Sequence, residues 1–328
     1  AWRATLYLGL ASMVLLAALL MIGTQAGFTF SGLKDFMASG RELAHAELIG
    51  ALLIAGFGTL ISLFPFHSWA APAYASAPAP VAMMHAGVLK KFGLYGLFMF
   101  QPLMETGFLP WTNILLVLLV CNVIWVGYVT VNQKRLDLLL GNSSVMHMGY
   151  IFLAFAALVV SGSAEANPWA LKGAALLMLA HGLTIALLFL LCGQIEKQTG
   201  TLEINSLGGL STRLPRMAFV FGLAGMASIG LPGLANFPGE FMVFFSGFAG
   251  FSNGFGPVQI ATILCLWGLV IGAVYMLRAY RNIFQGDLSK ASAYATGLQP
   301  SERAANCFLV IALAVFGFFP TLVLQFFS

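Results

Sequence analysis

The sequence predicts an all-α protein, a polytopic membrane helix bundle that contains discontinuous helices. Of its 328 residues, 60% are hydrophobic and only 8% are charged, and the mean hydropathy is +0.92. A soluble domain carries about 25% charged residues, so this composition indicates an integral membrane protein. Apolar runs of membrane-spanning length recur along the chain, and clusters of proline and glycine interrupt two of them.

Nine apolar runs are predicted to cross the membrane, the seventh of them interrupted. Each is bounded by polar or turn-forming residues and is close to the length that a bilayer requires. The predicted spans are 4–24, 47–64, 80–102, 110–133, 143–161, 168–194, 216–250, 256–285 and 304–327.

Basic residues are distributed unequally between the loops on the two sides. One side holds only Lys34 and Arg41, with Lys172 near its edge. Cytoplasmic loops carry the excess of Lys and Arg, so the richer side is predicted to be cytoplasmic and the carboxyl terminus exoplasmic. The basic residues on the richer side are Arg3, Lys134, Arg135, Lys197, Arg213, Arg216, Arg278, Arg281, Lys290 and Arg303.

Two spans contain break signals. The second span runs into a segment with Pro65 and Pro72, and the seventh contains Pro232 and Pro238 among glycines. Proline removes a backbone donor and clashes with the preceding turn, and paired breaks in corresponding halves are typical of inverted-repeat transporters. The alternative is two simple helix kinks.

Two lysines stand in the middle of the third span, which has no break signal between Pro80 and Phe100 and is predicted to be one helix. A charged residue at a helix centre costs about 2.5–3.5 kcal/mol on insertion scales. Lys90 and Lys91 could instead extend to an interface, although about ten apolar residues flank them on either side. They point about 100° apart on a helix.

A few other polar residues lie inside the spans. His147 shares a helix face with Ser143 and Ser144, and His181 shares one with Thr184. Each histidine could simply be a satisfied core group, but histidine titrates near neutral pH and lysine, histidine and carboxylate together are the parts of a proton relay. His67 and Glu240 lie at the two breaks.

Several other kinds of site are not indicated. Phosphate-binding loops, nucleophile elbows, zinc motifs and haem ligand pairs have no counterpart in the sequence. The net charge of +4 does not point to nucleic acid, because the basic residues lie in short loops. No metal site or disulfide is predicted from the scattered Cys121, Cys192, Cys265 and Cys307.

Four motifs, in order, resemble those of the antiporter-like subunits of respiratory complex I. Residues 64–97 resemble P-L-H-x-W-L-P…A-P…A-G-x-L-L-K-x-G-x-Y-G-L, and residues 143–150 resemble S-S-x-S-H-M-G-F. Residues 180–194 resemble A-H-G…L-F-x-x-x-G, and residues 231–241 resemble L-P-G-x-x-x-F-x-G-E-F. The glutamate of the last motif, where sister subunits carry lysine, indicates the M-type subunit.

The resemblance implies an antiporter-like fold with inverted five-helix repeats. The chain resembles the sixth to fourteenth helices of such a subunit and lacks its first five. Residues 1–109 would be the last three helices of the first repeat, 110–285 the second repeat, and 286–328 a C-terminal loop and helix.

The resemblance also implies roles for single residues. Lys91 would be the central eighth-helix lysine, His147 and His181 the linking residues, and Glu240 the exit carboxylate; Ser144, Thr184, His67 and Lys90 are secondary candidates. Lys90 occupies a position that is usually Leu, so Lys91 is expected to face His147 while Lys90 points to lipid or a partner. Lys91→Ala should then abolish translocation and Lys90→Ala should do much less.

This sequence departs from the family pattern at two places. Leu60 stands where the seventh helix of the family carries a lysine, and Tyr74 and Ala75 replace the usual acidic-His pair. The fifth-helix glutamate of the family has no counterpart in residues 1–328.

The function that this resemblance implies is proton translocation in the membrane arm of NADH:quinone oxidoreductase. The chain itself would hold no cofactor; NADH, FMN, Fe–S clusters and quinone are expected in partner subunits, and its own partners would be membrane-arm subunits and lipid, with no nucleic acid. A bacterial inner membrane or an equivalent organelle membrane is expected. The alternatives are a multisubunit cation/proton antiporter and a spacer that has lost pumping.

Overall fold

The computed structural model describes residues 2–249 and 254–327, and these form a helical bundle, as predicted. Six helices in the described part are long and apolar enough to cross a membrane. The helices are α1 (Trp2–Ala26), α2 (Phe30–Ala38), α3 (Ala46–Ile61), α4 (Ala70–Ala75), α5 (Ala79–Met84), α6 (Lys91–Phe100), α7 (Glu105–Phe108), α8 (Thr112–Val131), α9 (Leu136–Ser161), α10 (Pro168–Thr199), α11 (Pro215–Ser228), α12 (Asn236–Ser246), α13 (Pro257–Phe284), α14 (Pro300–Phe318) and α15 (Thr321–Leu324).

The second, third and seventh predicted spans are each built from shorter pieces. The second consists of α3, whose 16 residues cover about 24 Å, followed by an irregular segment and α4. The seventh is divided into α11 and α12, and its predicted end at Gly250 lies outside the described residues. Helix α2, of nine residues, was not predicted from the sequence. Its N-cap is Thr29, whose hydroxyl accepts a hydrogen bond from the Gly32 amide at 3.1 Å.

The third span was expected to be one uninterrupted α-helix, and this expectation is wrong. A π-helical turn, His85–Leu89, separates α5 from α6, and the Lys90 amide donates to the His85 carbonyl, five residues back, at 3.1 Å. Such turns insert an extra residue and occur often at functional sites. Glycine allows this turn to pack directly on α10, since a Cβ at Gly87 would lie 3.1 Å from the Gly182 carbonyl oxygen.

Helix α9 is the centre of the bundle. Nearly all of its side chains are buried, on every side of the helix, as expected for a helix that is apolar all round. It begins at Leu136, seven residues before the predicted span, and Arg135 immediately before it forms an ion pair with Asp137 in its first turn. Because α4, α8, α10, α12 and α13 all pack on α9, a polar side chain on this helix faces protein rather than lipid.

The first predicted break, near Pro65, is confirmed, and side chains of neighbouring helices bind its free backbone groups. Asn122 of α8 accepts a hydrogen bond from the Phe64 amide at 2.6 Å and donates to the Ser62 carbonyl at 3.2 Å. The Trp69 indole donates to the Thr59 carbonyl at 3.0 Å. Irregular backbone at membrane depth persists only where such partners exist.

The second predicted break, between Pro232 and Pro238, is also confirmed. Helix α11 ends at Ser228, α12 begins at Asn236, and the connection uses positive φ at Gly230 and Gly233 (79° and 91°). A Cβ at Gly230 would overlap the carboxylate of Glu240. Glycine is therefore required there both for backbone conformation and for the close approach of Glu240.

We expect Asn122→Ala to destabilise the protein through the first break. The side chain of Asn122 is fully buried, and its loss leaves two backbone groups of the break, the Phe64 amide and the Ser62 carbonyl, without this partner. Each such group costs about 1–3 kcal/mol. Thermal unfolding in detergent should show a clear fall in Tm, whereas Asn132→Ala, at the exposed end of the same helix, should change it little; equal Tm values for the two variants would contradict this role.

Candidate functional site

A row of buried polar side chains runs through the bundle between the two breaks. Its centre is the predicted face of α9, where Ser143, Ser144 and His147 lie together and are all buried. The Ser144 hydroxyl is 3.1 Å from Nε2 of His181 on α10. The rings of His147 and His181 stack with centroids 5.1 Å apart, so the structure brings the two predicted histidines into direct contact.

His147 is held by two acceptors. Its Nδ1 is 2.7 Å from the Ser143 carbonyl and its Nε2 is 2.9 Å from the Ser228 carbonyl, at the end of α11. A neutral imidazole can donate to only one of these oxygens, but an imidazolium can donate to both. The site therefore has a hydrogen-bond partner ready for the second proton that His147 would carry, and the second break supplies it.

Both lysines are buried, Lys90 with 0% exposure and Lys91 with 8%, so neither reaches a membrane interface. The expectation that Lys91 contacts the histidine row while Lys90 points to lipid or a partner is wrong in its geometry. Nζ of Lys90 lies 3.5 Å from the Ser144 hydroxyl, whereas Nζ of Lys91 donates to the Ala86 carbonyl. The physical reason is the π-helical turn before the lysines, whose extra residue alters the phase of the helix and directs Lys90 towards Ser144 of α9.

Lys91 also borders a large apolar groove on the protein surface. The groove has a volume of about 780 Å³ and is lined by residues of α5, α6 and α10 and by Val323 and Phe327. The only polar contact of the Lys91 ammonium within the described residues is the backbone carbonyl of Ala86. No direct hydrogen bond links it to His147.

Glu240 lies at the second break, as predicted, in the second turn of α12. It is buried, with 3% exposure, and its Oε1 has no hydrogen-bond partner among the described residues. The Thr184 hydroxyl of α10 lies 2.9 Å from the side-chain amide of Asn236, one turn before Glu240. The structure thus joins the Thr184 side of α10 to the helix that carries Glu240, but it does not place Glu240 in direct contact with the histidines.

Sequence reasoning missed several polar members of the row. Tyr275 forms a 2.7 Å hydrogen bond with the Ser143 hydroxyl, and the Tyr150 ring lies 5.6 Å from that of His147. The positions of Tyr150 and Asn236, three residues after His147 and four before Glu240, could have indicated them. The Tyr74 ring stands against Lys90, and the His85 ring lies 5.5 Å from that of Tyr74. His67, a predicted secondary candidate, lies in the first break stacked on Phe64.

Many polar atoms along this row lack a protein partner. In native proteins most buried polar atoms are paired with protein or with ordered water, so a cluster of exceptions indicates a hydrated path. Within the described residues the row contributes Ser62 Oγ, His67 Nδ1, Tyr74 OH, His85 Nδ1, Tyr150 OH, His181 Nδ1, Asn236 Nδ2 and Glu240 Oε1 to these atoms.

Two broken helices that flank buried polar groups are the pattern typical of ion-transporting membrane proteins with inverted repeats. The sequence matches the family described as "NADH:quinone oxidoreductase/Mrp antiporter, TM" over residues 1–265. The chain therefore belongs to this family, and the resemblance to antiporter-like subunits is confirmed.

Individual relatives agree with this assignment. The chain is 36% identical to NAD(P)H-quinone oxidoreductase chain 4 1 of Synechococcus elongatus, an alignment that covers 98% of this chain and 59% of the relative. It is 34% identical to chain 4 2 of Microcystis aeruginosa, over 92% of this chain and 54% of the relative. The chain thus spans little more than half the length of these curated relatives.

Solved structures share the fold. A chain of respiratory complex I from Thermus thermophilus with bound NADH matches with a TM-score of 0.86 at 26% identity, covering 99% of this chain and 66% of that one. A chain of the Mrp complex from Dietzia sp. matches with a TM-score of 0.79 at 19% identity, covering 98% and 65%; this second likeness concerns the fold alone.

Proposed function

We propose that this chain is a proton-translocating membrane-arm subunit of an NADH:quinone oxidoreductase of the complex I type. The observation that carries the proposal is the Ser144–His181–His147 cluster, a set of buried groups in contact at the centre of the bundle, between two broken helices. Burying polar groups costs free energy, so a cluster of them at the centre of an apolar bundle indicates a functional role.

In this proposal protons cross along Lys91, His147, His181 and Glu240. The histidines pass a proton between α9 and α10, which Ser144 assists, and Thr184 and Asn236 connect α10 to the second break. Glu240, near the exoplasmic half, releases the proton. Lys91 is included in this path because it matches the lysine of the family motif and because its side chain is buried. Water would have to connect its ammonium with the histidines.

Electron transfer would take place in other subunits. NADH, FMN, Fe–S clusters and quinone belong to those partners, and this chain contributes no redox chemistry of its own. We place it in a bacterial inner membrane or an equivalent organelle membrane, among other membrane-arm subunits and lipid, with the carboxyl terminus exoplasmic. The loop charges support that orientation.

A multisubunit cation/proton antiporter is the second candidate, since the family includes Mrp antiporters. A non-pumping spacer is the third, and Leu60 is the feature that favours it. Purification of the native complex under mild conditions tests the first two, because Fe–S and quinone-site subunits should accompany the chain. Proton uptake by inverted vesicles should follow quinone reduction without a sodium requirement; uptake that depends on sodium, or none from this chain, would overturn the proposal.

Ser144→Ala should slow this translocation. The hydroxyl lies between Lys90 and His181, at 3.5 and 3.1 Å, and alanine cannot relay a proton. We expect proton uptake per quinone reduced to fall about tenfold or more, since a positioned proton-transfer group contributes about 10²–10⁴-fold. Ser161→Ala is the matched control, because Ser161 lies at the end of the same helix and bonds to the Ala157 carbonyl instead; similar losses in both variants would remove the special role of Ser144.

A further inference from the structure

The first break and Lys90 are joined by one cluster of side chains, Trp69, Tyr74 and His85. The ammonium of Lys90 lies 5.8 Å from the centre of the Tyr74 ring, and the Tyr74 ring lies 5.5 Å from that of His85. The His85 ring lies 5.6 Å from Trp69, whose indole binds the carbonyl of Thr59 at 3.0 Å. Lys90, on the third span, is therefore connected through aromatic and imidazole rings to the end of α3, beside Leu60.

This cluster extends from the buried Lys90 towards the protein surface. Ser62 Oγ, His67 Nδ1, Tyr74 OH and His85 Nδ1 are buried atoms without a hydrogen-bond partner among the described residues, and water is the usual partner of such atoms. The side chains of His67 and His85 are only half-buried. Unpaired polar atoms thus lie all along the way from the half-buried histidines to the neighbourhood of Lys90, where water can bind.

Lys90 has no carboxylate of its own. The ion pairs in residues 2–249 and 254–327 are Arg135–Asp137 and Lys197–Glu302, neither of which involves it. Its side-chain hydrogen-bonding partner is Ser144, which also contacts His181. A buried ammonium held by a neutral ring and a hydroxyl, without a counter-ion, is suited to carrying a proton in transit rather than to a permanent ion pair.

We propose that Lys90 is the proton-loading residue of the intake branch, fed through the first break and discharging through Ser144 to His181. Lys90 would supply the buried, protonatable amine that position 60, a leucine in this chain, does not supply. In the transfer, an N–H bond of the Lys90 ammonium breaks as the proton joins Ser144 Oγ, while the Ser144 proton moves to His181 Nε2. The neutral Lys90 amine then takes a proton that enters from the intake side and is passed along water in the break, each water receiving one proton as it gives one up. This inference rests on the proposed function.

The experiment compares three variants in the assembled complex in native membranes. Lys90→Leu should lower proton uptake per quinone reduced by about 100-fold, with normal amounts of assembled complex. Lys90→Arg keeps the charge but cannot release the proton, because the guanidinium stays protonated, and it should be equally impaired. Wild-type uptake in either variant would overturn the proposal, since Lys90 would then be dispensable or would serve only as a fixed charge.

Rescue provides the sharper test. Leu60→Lys combined with Lys90→Leu should restore a substantial part of the uptake, whereas a structural role of Lys90 predicts no restoration. The Glu240→Gln variant, measured in parallel, reports on the proposed function itself. If Glu240→Gln abolishes uptake while Lys90→Leu does not, only the loading role fails; if Glu240→Gln leaves uptake unchanged, the relay fails as a whole.

Discussion

Glu240→Gln should abolish most proton translocation while leaving the complex assembled. Glutamine keeps the size of the side chain and much of its hydrogen bonding but cannot release a proton. The carboxylate stands at the start of α12, against Gly230 of the second break, with Oε1 unpaired in the described part of the chain. We expect a loss of about 100-fold in proton uptake, because other groups at this end of the row, such as Asn236, do not titrate.

The measurement is dye-reported proton uptake by inverted membrane vesicles, normalised to quinone reduction and to the amount of assembled complex. Glu196→Gln is the matched control, since Glu196 lies exposed on α10, and it should behave as wild type. Wild-type uptake and turnover in Glu240→Gln would show that Glu240 is structural.

His181→Asn should have an effect of similar size for a different reason. His181 is the point at which α10 meets the α9 row, through the 3.1 Å contact with Ser144 and the 5.1 Å stack on His147. Asparagine is polar but cannot carry a proton, so the path is cut between its two halves. Proton uptake should again fall about 100-fold.

His45→Asn is the control for this substitution. His45 is exposed and has a positive φ of 58°, a conformation that asparagine tolerates well. It should leave uptake unchanged. A His181→Asn variant that assembles and translocates protons at the wild-type rate would exclude the histidine pair from the path.

Much of this architecture can be predicted from the sequence because its causes are local. Hydrophobic runs define the spans, and proline and glycine define both breaks. The helical period of 3.6 residues places Ser143, Ser144 and His147 on one face. The sequence therefore determines which face of each helix carries a histidine, and the packing of α9 on α10 brings the two histidines together.

Other features depend on tertiary packing and could not be predicted. The π-helical turn has no residue signature, and it is responsible for the contact of Lys90 with Ser144. Helix α9 begins before its predicted span, which started at 143, because the charged residues Lys134, Arg135 and Asp137 resemble a loop in the sequence. Tyr275 reaches Ser143 across 132 positions of sequence, and such a contact is visible only once α13 is packed against α9.

The π-helical turn also makes the length of this stretch more tolerant than the length of the helix that follows it. Removing one residue from 85–89 would delete the extra residue that the turn accommodates, so the stretch could close into regular α-helix while Leu94 and Leu97 keep their protein-facing side. Removing one residue from 92–96, in regular α-helix, would instead turn the following part of α6 by about 100° and carry Leu97 towards lipid. In genetic terms, a single-codon deletion within α6 should be far more damaging than one at 85–89.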